Sequence, residues 1–389
     1  MKILHLFSNW KWTGPAEPAI NLCWKLHERG YDTELAVGRG PRVLPNAVRA
    51  AAVERGLPLL DGLRLRKHLS PVANALDILR LGRLMDERRW DIVHVHTIND
   101  HRIAAQARRL SRVKPLLVRS FYDDADRPIS RAACRLLRRH ADALIVYSDA
   151  VRALVTERIF TREPARVLKV EGAVDLQRFN PERTGLPDMR GRLGLPEDAY
   201  LVGIVARVQP HRRFDLFLEA VRRAASVLPQ LRAVIVGRGT RIEEVAKGPV
   251  RRSGLDSIVT FPGYLSGDDY VGMLKALDVK VFLMPGSDGT CRAVREALAM
   301  GVPVVAARRG MLPEIVRDGV NGLLVGYDAE ELSGAIVRLG TDAELRRRLA
   351  AGALEDARSR FDLQRQAEAV ATVYERLVGR RQGWASGWI

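Results

Sequence analysis

The run Pro285-Gly286-Ser287-Asp288-Gly289-Thr290 is rich in turn formers and separates an apolar segment from a helical pattern over 292–300. It carries Asp288, and Glu296 follows further down the helix. A carboxylate accepts two hydrogen bonds from vicinal hydroxyls, so one acid could hold a sugar while the other holds a ribose diol. A loop at the carboxyl end of a parallel strand also turns free backbone N–H groups toward an oxygen-rich ligand. Taken alone, the pair reads more readily as an N-capping Asp followed by a solvent-facing Glu.

Such residues need a scaffold, and the hydrophobic pattern supplies one. Short runs rich in Val, Ile and Leu alternate with longer amphipathic stretches, as strands alternate with helices in doubly wound α/β domains. Strands are expected at 2–7, 33–37, 91–96, 116–119, 143–147 and 166–170, then at 200–206, 232–236, 258–261, 279–284, 302–306 and 322–325. Pro181, Pro187 and Pro196 interrupt a stretch without sustained period. The chain of 389 residues is long for one core and suits two. The expected division is 1–173, a linker over 174–197, a second domain over 198–360, and a helix with tail over 361–389 returning to the first domain.

The sequence GSDGTCRAVREALAMGVPVVAARRGMLPEIVRDGVNGLLV resembles the donor-site signature of the retaining glycosyl transferases of group 1, which have the GT-B fold. That signature runs Glu-Gly, a second Glu, an Ala-rich helix, Gly-x-Pro-Val-Val and Gly-x-x-Glu. Here Asp288-Gly289 stands for Glu-Gly, Glu296 is the second Glu, Gly301-Val302-Pro303 follows, and Gly310 through Glu314 closes the run. The resemblance implies two Rossmann-like domains facing a central cleft, the second binding a nucleotide-diphosphate sugar. Asp288, with Gly289, Thr290 and Cys291 after it, would hold the donor sugar, and Glu296 the ribose. Asp288 is one methylene shorter than the usual Glu. GIVARVQPHRRFDLFLEAV is similar to the family block whose Arg and Lys clamp the diphosphate; Arg207 matches the first and Arg212 takes the place of the second. Two guanidinium groups can grip phosphate oxygens and offset leaving-group charge. Arg213 replaces a family glycine. TFPGYLS places Gly263 and Tyr264 in a loop that lies near the base in the family.

The first half is similar but more eroded. Gly14 is kept from the opening Gly-Gly loop, whereas Pro15 takes the place of the second glycine and removes an amide. DIVHVHTINDHRIAAQARRL resembles the family's His-x-His strand. The histidine that the family commonly carries after the next strand is replaced by Phe121 or Tyr122. Retaining transfer, pictured with the departing phosphate taking the acceptor proton, does not strictly require that base. His94, His96 and His101 are left as acceptor-side candidates, His96 first, each with a structural reading beside the catalytic one. The resemblance implies no metal and no cofactor, and the acidic run Asp123-Asp124-Ala125-Asp126 falls on the acceptor side. Similarity to lipopolysaccharide and cell-surface glycan transferases points to a glycan or glycolipid acceptor.

Formal charge is +17, mostly from arginine. It favours polyanionic partners or reflects a generally solvated basic surface. Arg131, Arg135, Arg138 and Arg139 fall on one side of a helical segment with Leu136 and Leu137 available for the interior, and Arg64, Arg66, Lys67 and His68 form a second basic group. Either could rest on anionic lipid or simply face water. Trp384 and Trp388 in the tail pose a similar choice between packing and a membrane interface. Nucleic acid is not an expected partner, because neither a stacking platform nor a recognition helix is evident. The scattered Cys23, Cys134 and Cys291 suggest neither disulfides nor zinc. No signal-peptide or membrane-spanning run is evident, so a cytoplasmic chain is expected, with peripheral attachment to the inner face of the cytoplasmic membrane left open. Rival readings are a sugar-nucleotide epimerase or phosphorylase on the same fold, and a degenerate protein that binds without catalysis. Base, sugar, acceptor and oligomeric state are not legible.

Overall fold

The computed structural model of the chain describes residues 1–41, 43–122, 129–285 and 291–386, with side chains as far as residue 381. Among these residues the twelve expected strands all form, as two parallel sheets of six. Residues 1–172 and 363–386 make one compact unit, and residues 173–285 and 291–362 the other.

The first unit runs β1 (Lys2–Phe7), α1 (Ala16–Glu28), β2 (Asp32–Val37), α2 (Ala47–Glu54), α3 (Pro71–Arg88), β3 (Ile92–Val95), α4 (Ile98–Leu110), β4 (Leu116–Phe121), α5 (Arg131–His140), β5 (Ala143–Val146), α6 (Asp149–Arg158) and β6 (Val167–Lys169). Its sheet order is β2-β1-β3-β4-β5-β6. β3, β4 and β5 are buried along their whole length, which parallel strands require when helices cover both faces. The second unit runs α7 (Met189–Arg192), β7 (Tyr200–Val205), α8 (Phe214–Ala225), β8 (Leu231–Val236), α9 (Gly248–Arg252), β9 (Val259–Gly263), α10 (Gly267–Ala276), β10 (Val279–Phe282), α11 (Arg292–Ala299), β11 (Val304–Ala307), α12 (Leu312–Ile315), β12 (Gly322–Val325), α13 (Ala329–Thr341) and α14 (Ala343–Arg360). Its order is β12-β11-β10-β7-β8-β9.

The last helix, α15 (Leu363–Ser386), belongs to the first unit: Ala367, Val370 and Tyr374 share a core with Ile3, Val118 and Ile145. The stretch over 174–197 is folded into the second unit. Val174, Phe179 and Met189 are buried in its core, singly rather than periodically, and this is why the sequence pattern there shows no rhythm. No helix among the described residues is long and apolar enough to cross a membrane.

Candidate functional site

In a doubly wound sheet, ligands sit outside the carboxyl ends of the strands where strand order reverses. In the second unit that point lies between β7 and β10. Arg207 leaves the end of β7 exposed to solvent. Arg212 closes the 3₁₀ turn Pro210–Arg212 and donates through Nη1 to the carbonyl of Met284 at 3.0 Å, just past β10. Both arginines expected from sequence thus stand at the switch point. Asp288, Gly289 and Thr290 lie outside the described residues. Cys291 follows as the N-cap of α11, buried and left-handed at φ 44, and its side chain makes no capping hydrogen bond.

Neighbouring loops are fastened to this edge by close backbone approach. A Cβ at Gly237 would strike the carbonyl oxygen of Ala206, and one at Gly239 that of Val208. Ala206 N donates to Val236 O at 3.1 Å, Val208 N to Arg238 O at 3.1 Å, and Gly237 N to Gly263 O at 2.8 Å. Arg207, Gly263 and Tyr264 are thereby held on one side of the sheet. Gly263 turns at φ 82, and Tyr264 is 61% exposed with the Arg238 guanidinium 4.5 Å from its ring centroid. Arg213 also sits at φ 60, where glycine is at ease and arginine is not, which accounts physically for the family glycine at this position. Its guanidinium is anchored on Asp215 at 2.8 Å and lies over the Tyr327 ring.

Glu296, on α11, is 4% exposed and has both oxygens engaged. The Tyr270 hydroxyl donates to Oε2 at 2.5 Å and Arg292 Nε to Oε1 at 3.0 Å. A solvent-facing Glu is therefore excluded. Lys280, a cation inside β10, is fully buried; its ammonium donates to the carbonyl of Ala293 at 2.5 Å, and desolvation pulls its pKa down to about 8 although the Glu296 charge opposes this. Tyr270, Arg292 and Lys280 were not singled out from sequence. Only Lys280 left a signal, as a lysine within an apolar run.

In the first unit the order reverses between β1 and β3. Gly14 lies in the loop that follows β1, half-buried, and Pro15 is the N-cap of α1. His96, the first of the acceptor-side candidates, is enclosed by its neighbours. It is 3% exposed, its Nε2 lies 3.0 Å from Nδ1 of His5, and its Nδ1 lies 2.9 Å from the Tyr122 hydroxyl. His94, level with His5 in the parallel register, contacts the hydroxyls of Tyr374 at 2.5 Å and Ser120 at 3.0 Å, and Ser120 in turn meets Tyr147 at 2.8 Å. Burial keeps all three imidazoles neutral, their pKa values far below the ordinary 6.5. The His-x-His strand is thus the spine of a buried hydrogen-bonded network reaching α15. His5 belonged to this network unannounced, hidden in the apolar run of β1. Although the ligand atoms of His5, His94 and His96 lie within 4.8 Å of one another, their ring nitrogens are largely spent on these partners. His101 is buried as well, and Asp100 beside it accepts from the Ser8 hydroxyl and from the amide of Thr97 at 2.8 Å in a capping box. Phe121 and Tyr122 are both buried. The run from Asp123 to Asp126 and the tail residues Trp384 and Trp388 lie outside the described side chains.

Two doubly wound units, the second with arginines at its switch point and a buried carboxylate on the helix after β10, have the architecture of a GT-B glycosyltransferase. A family model described as glycosyl transferases group 1 matches residues 187–356, and one described as glycosyltransferase family 4 matches residues 14–178. The D-inositol 3-phosphate glycosyltransferase of Nocardioides sp. is 30% identical over 370 residues, covering 84% of this chain and 79% of that protein. The protein of the same description from Stackebrandtia nassauensis is 31% identical over 304 residues, covering 75% of this chain and 65% of that protein, so the chain spans just under two thirds of its length. Among solved structures, HepE of Anabaena in complex with UDP has a TM-score of 0.80 at 21% identity, covering 97% of this chain and 100% of that chain. The chain belongs to the glycosyl transferases of group 1.

Proposed function

We propose that the chain is a retaining glycosyltransferase that moves a sugar from a nucleoside diphosphate sugar to a cell-envelope glycan or glycolipid, working in the cytoplasm against the inner face of the cytoplasmic membrane. The observation that carries the donor half is the contact of Arg212 with the Met284 carbonyl at the switch point, one loop away from Glu296. In this reading Arg207 and Arg212 hold the diphosphate, Tyr264 and Gly263 border the base, Glu296 takes the ribose, and Asp288 with Gly289, Thr290 and Cys291 takes the sugar. The acceptor oxygen bonds to the anomeric carbon on the face the diphosphate leaves. The bond from that carbon to the β-phosphate oxygen breaks, and the acceptor proton passes to the departing phosphate. Arginine charge offsets the leaving group, and no metal or cofactor is invoked. The burial of His96 supports a step without a histidine base. The complex of HepE with UDP supports a uridine diphosphate sugar as the first donor to try.

A second reading of the acceptor, a phosphorylated cyclitol, is favoured by the names of the curated relatives. Incubating the chain with a radiolabelled nucleotide sugar and either D-inositol 3-phosphate or envelope glycolipid separates the two. Label entering the glycolipid with retained anomeric configuration supports the first; label in the inositol phosphate alone selects the second.

A further inference from the structure

Helix α3 has two apolar faces. One is buried, with Leu81 and Met85 in a core shared with Ile103 and Ala107 of α4. The other faces water: Val72, Leu76 and Leu79 are 72%, 45% and 54% exposed, and their spacing sets them in one row along the helix. Leu69, 63% exposed, extends the row ahead of the helix, and exposed Arg80 and Arg83 continue it.

The loop before the helix adds cations in fixed positions. Arg64, Arg66, Lys67 and His68 are all exposed, whereas Leu65 between them is buried and held at φ 41. Asp77 accepts from the amides of Arg64 and Leu65 at 2.8 Å each, and Asn99 Nδ2 donates to the carbonyl of Arg66 at 2.7 Å. Asp77 is the single carboxylate over residues 62–84 and is 2% exposed. No other acid lies within that stretch; exposed Asp61, just ahead of it, is paired with Arg49 at 2.7 Å, and exposed Glu87 lies near the far end of α3.

Scattered exposed leucines need no explanation, but a contiguous row bordered by charge of one sign does. We propose that this surface docks the chain on an anionic lipid bilayer. Leu69, Val72, Leu76 and Leu79 enter the boundary between headgroups and acyl chains, while the cations of 64–68 and Arg80 and Arg83 meet lipid phosphates. The proposal rests on, and deepens, the membrane contact in the function proposed above. A second copy of this chain fits the face poorly, because self-pairing brings two basic rims together. Helix α5 differs: its exposed Arg131, Arg135, Arg138 and Arg139 supply charge without a comparable aliphatic row.

Co-sedimentation of the full chain with vesicles tests this. Vesicles of phosphatidylglycerol and phosphatidylcholine should bind it and pure phosphatidylcholine should not. Leu76→Asp with Leu79→Asp should weaken binding about tenfold or more, with melting temperature and nucleotide-sugar affinity unchanged. Arg135→Glu with Arg138→Glu should weaken it less. Wild type that ignores anionic vesicles, or a leucine double variant that binds as well as wild type, overturns the proposal. So does a wild-type dimer that the leucine variant turns into a monomer. Vesicle binding without transfer to any glycolipid refutes the acceptor reading and leaves the docking surface standing.

Discussion

Tyr270 donates its hydroxyl to Glu296 Oε2 at 2.5 Å, tying α10 to α11 through the carboxylate expected to hold the ribose. Arg292 takes the other oxygen. A diol that reaches Glu296 must share these oxygens with the two partners or displace one of them. Tyr270→Phe should cost about 1.5–3 kcal/mol of stability, the usual worth of a hydrogen bond to a charged group, while nucleotide affinity holds or rises a few-fold. Glu296→Gln should lower that affinity about tenfold or more. Calorimetric titration with the nucleoside diphosphate and urea denaturation read the two effects separately. Equal loss of binding in both variants would show that Tyr270 holds the ligand with Glu296 instead of competing for it.

Arg213 is held at φ 60, a conformation that costs an L-residue roughly 1–2 kcal/mol, and its ion pair with Asp215 is partly exposed. Arg213→Gly should therefore raise stability by up to about 1 kcal/mol, after the greater freedom of glycine in the unfolded chain is set against the relief. Denaturant midpoints at constant slope check it. A clear loss of stability would mean that the contacts of Arg213 with Asp215 and Tyr327 outweigh the strain.

Buried histidines set the acid limit. Burial holds His5 and His101 near about 3, and His94 and His96 well below the ordinary 6.5. Below 6.5 the unfolded chain takes up protons that the native chain refuses, so stability falls as pH drops. Asp100 acts in the opposite sense. Its pKa, raised by burial to about 7 from 3.8, lets the native chain keep a proton that the unfolded chain releases across that window. Four groups outweigh one. Unfolding free energy should fall from about pH 6.5 downward by roughly 1.4 kcal/mol per pH unit for each histidine not offset by Asp100. Asp100→Asn should remove the opposing contribution and steepen the fall. Equilibrium unfolding across this range decides it, and a flat profile between about pH 5 and 7 contradicts the assignment.

The strands were legible because a parallel strand covered on both faces is nearly continuous Val, Ile and Leu, as in β5 and β7. Arg207 and Arg212 were singled out through the resemblance of their segment to the family's diphosphate-clamping block, and both lie in the loop past β7. What the pattern could not show was partnership across distance. His96 sits on a strand whose alternation says only which face it occupies, so its enclosure by His5 and Tyr122, far away in sequence, stayed hidden. Glu296 was found as a residue but not as one already held by Tyr270, since a helix period does not report what packs on it. The residues 174–197 misled for the opposite reason: Val174, Phe179 and Met189 fill the core singly, and single insertions have no period.

The central claim is that a nucleoside diphosphate sugar binds at the switch point of the second sheet, and binding measured by calorimetry across uridine, guanosine and adenosine diphosphate sugars tests it most directly. One base class should bind, and Arg212→Ala should weaken that binding about tenfold or more through loss of a phosphate-gripping guanidinium. Absence of binding to every class, or wild-type affinity in Arg212→Ala, would contradict it.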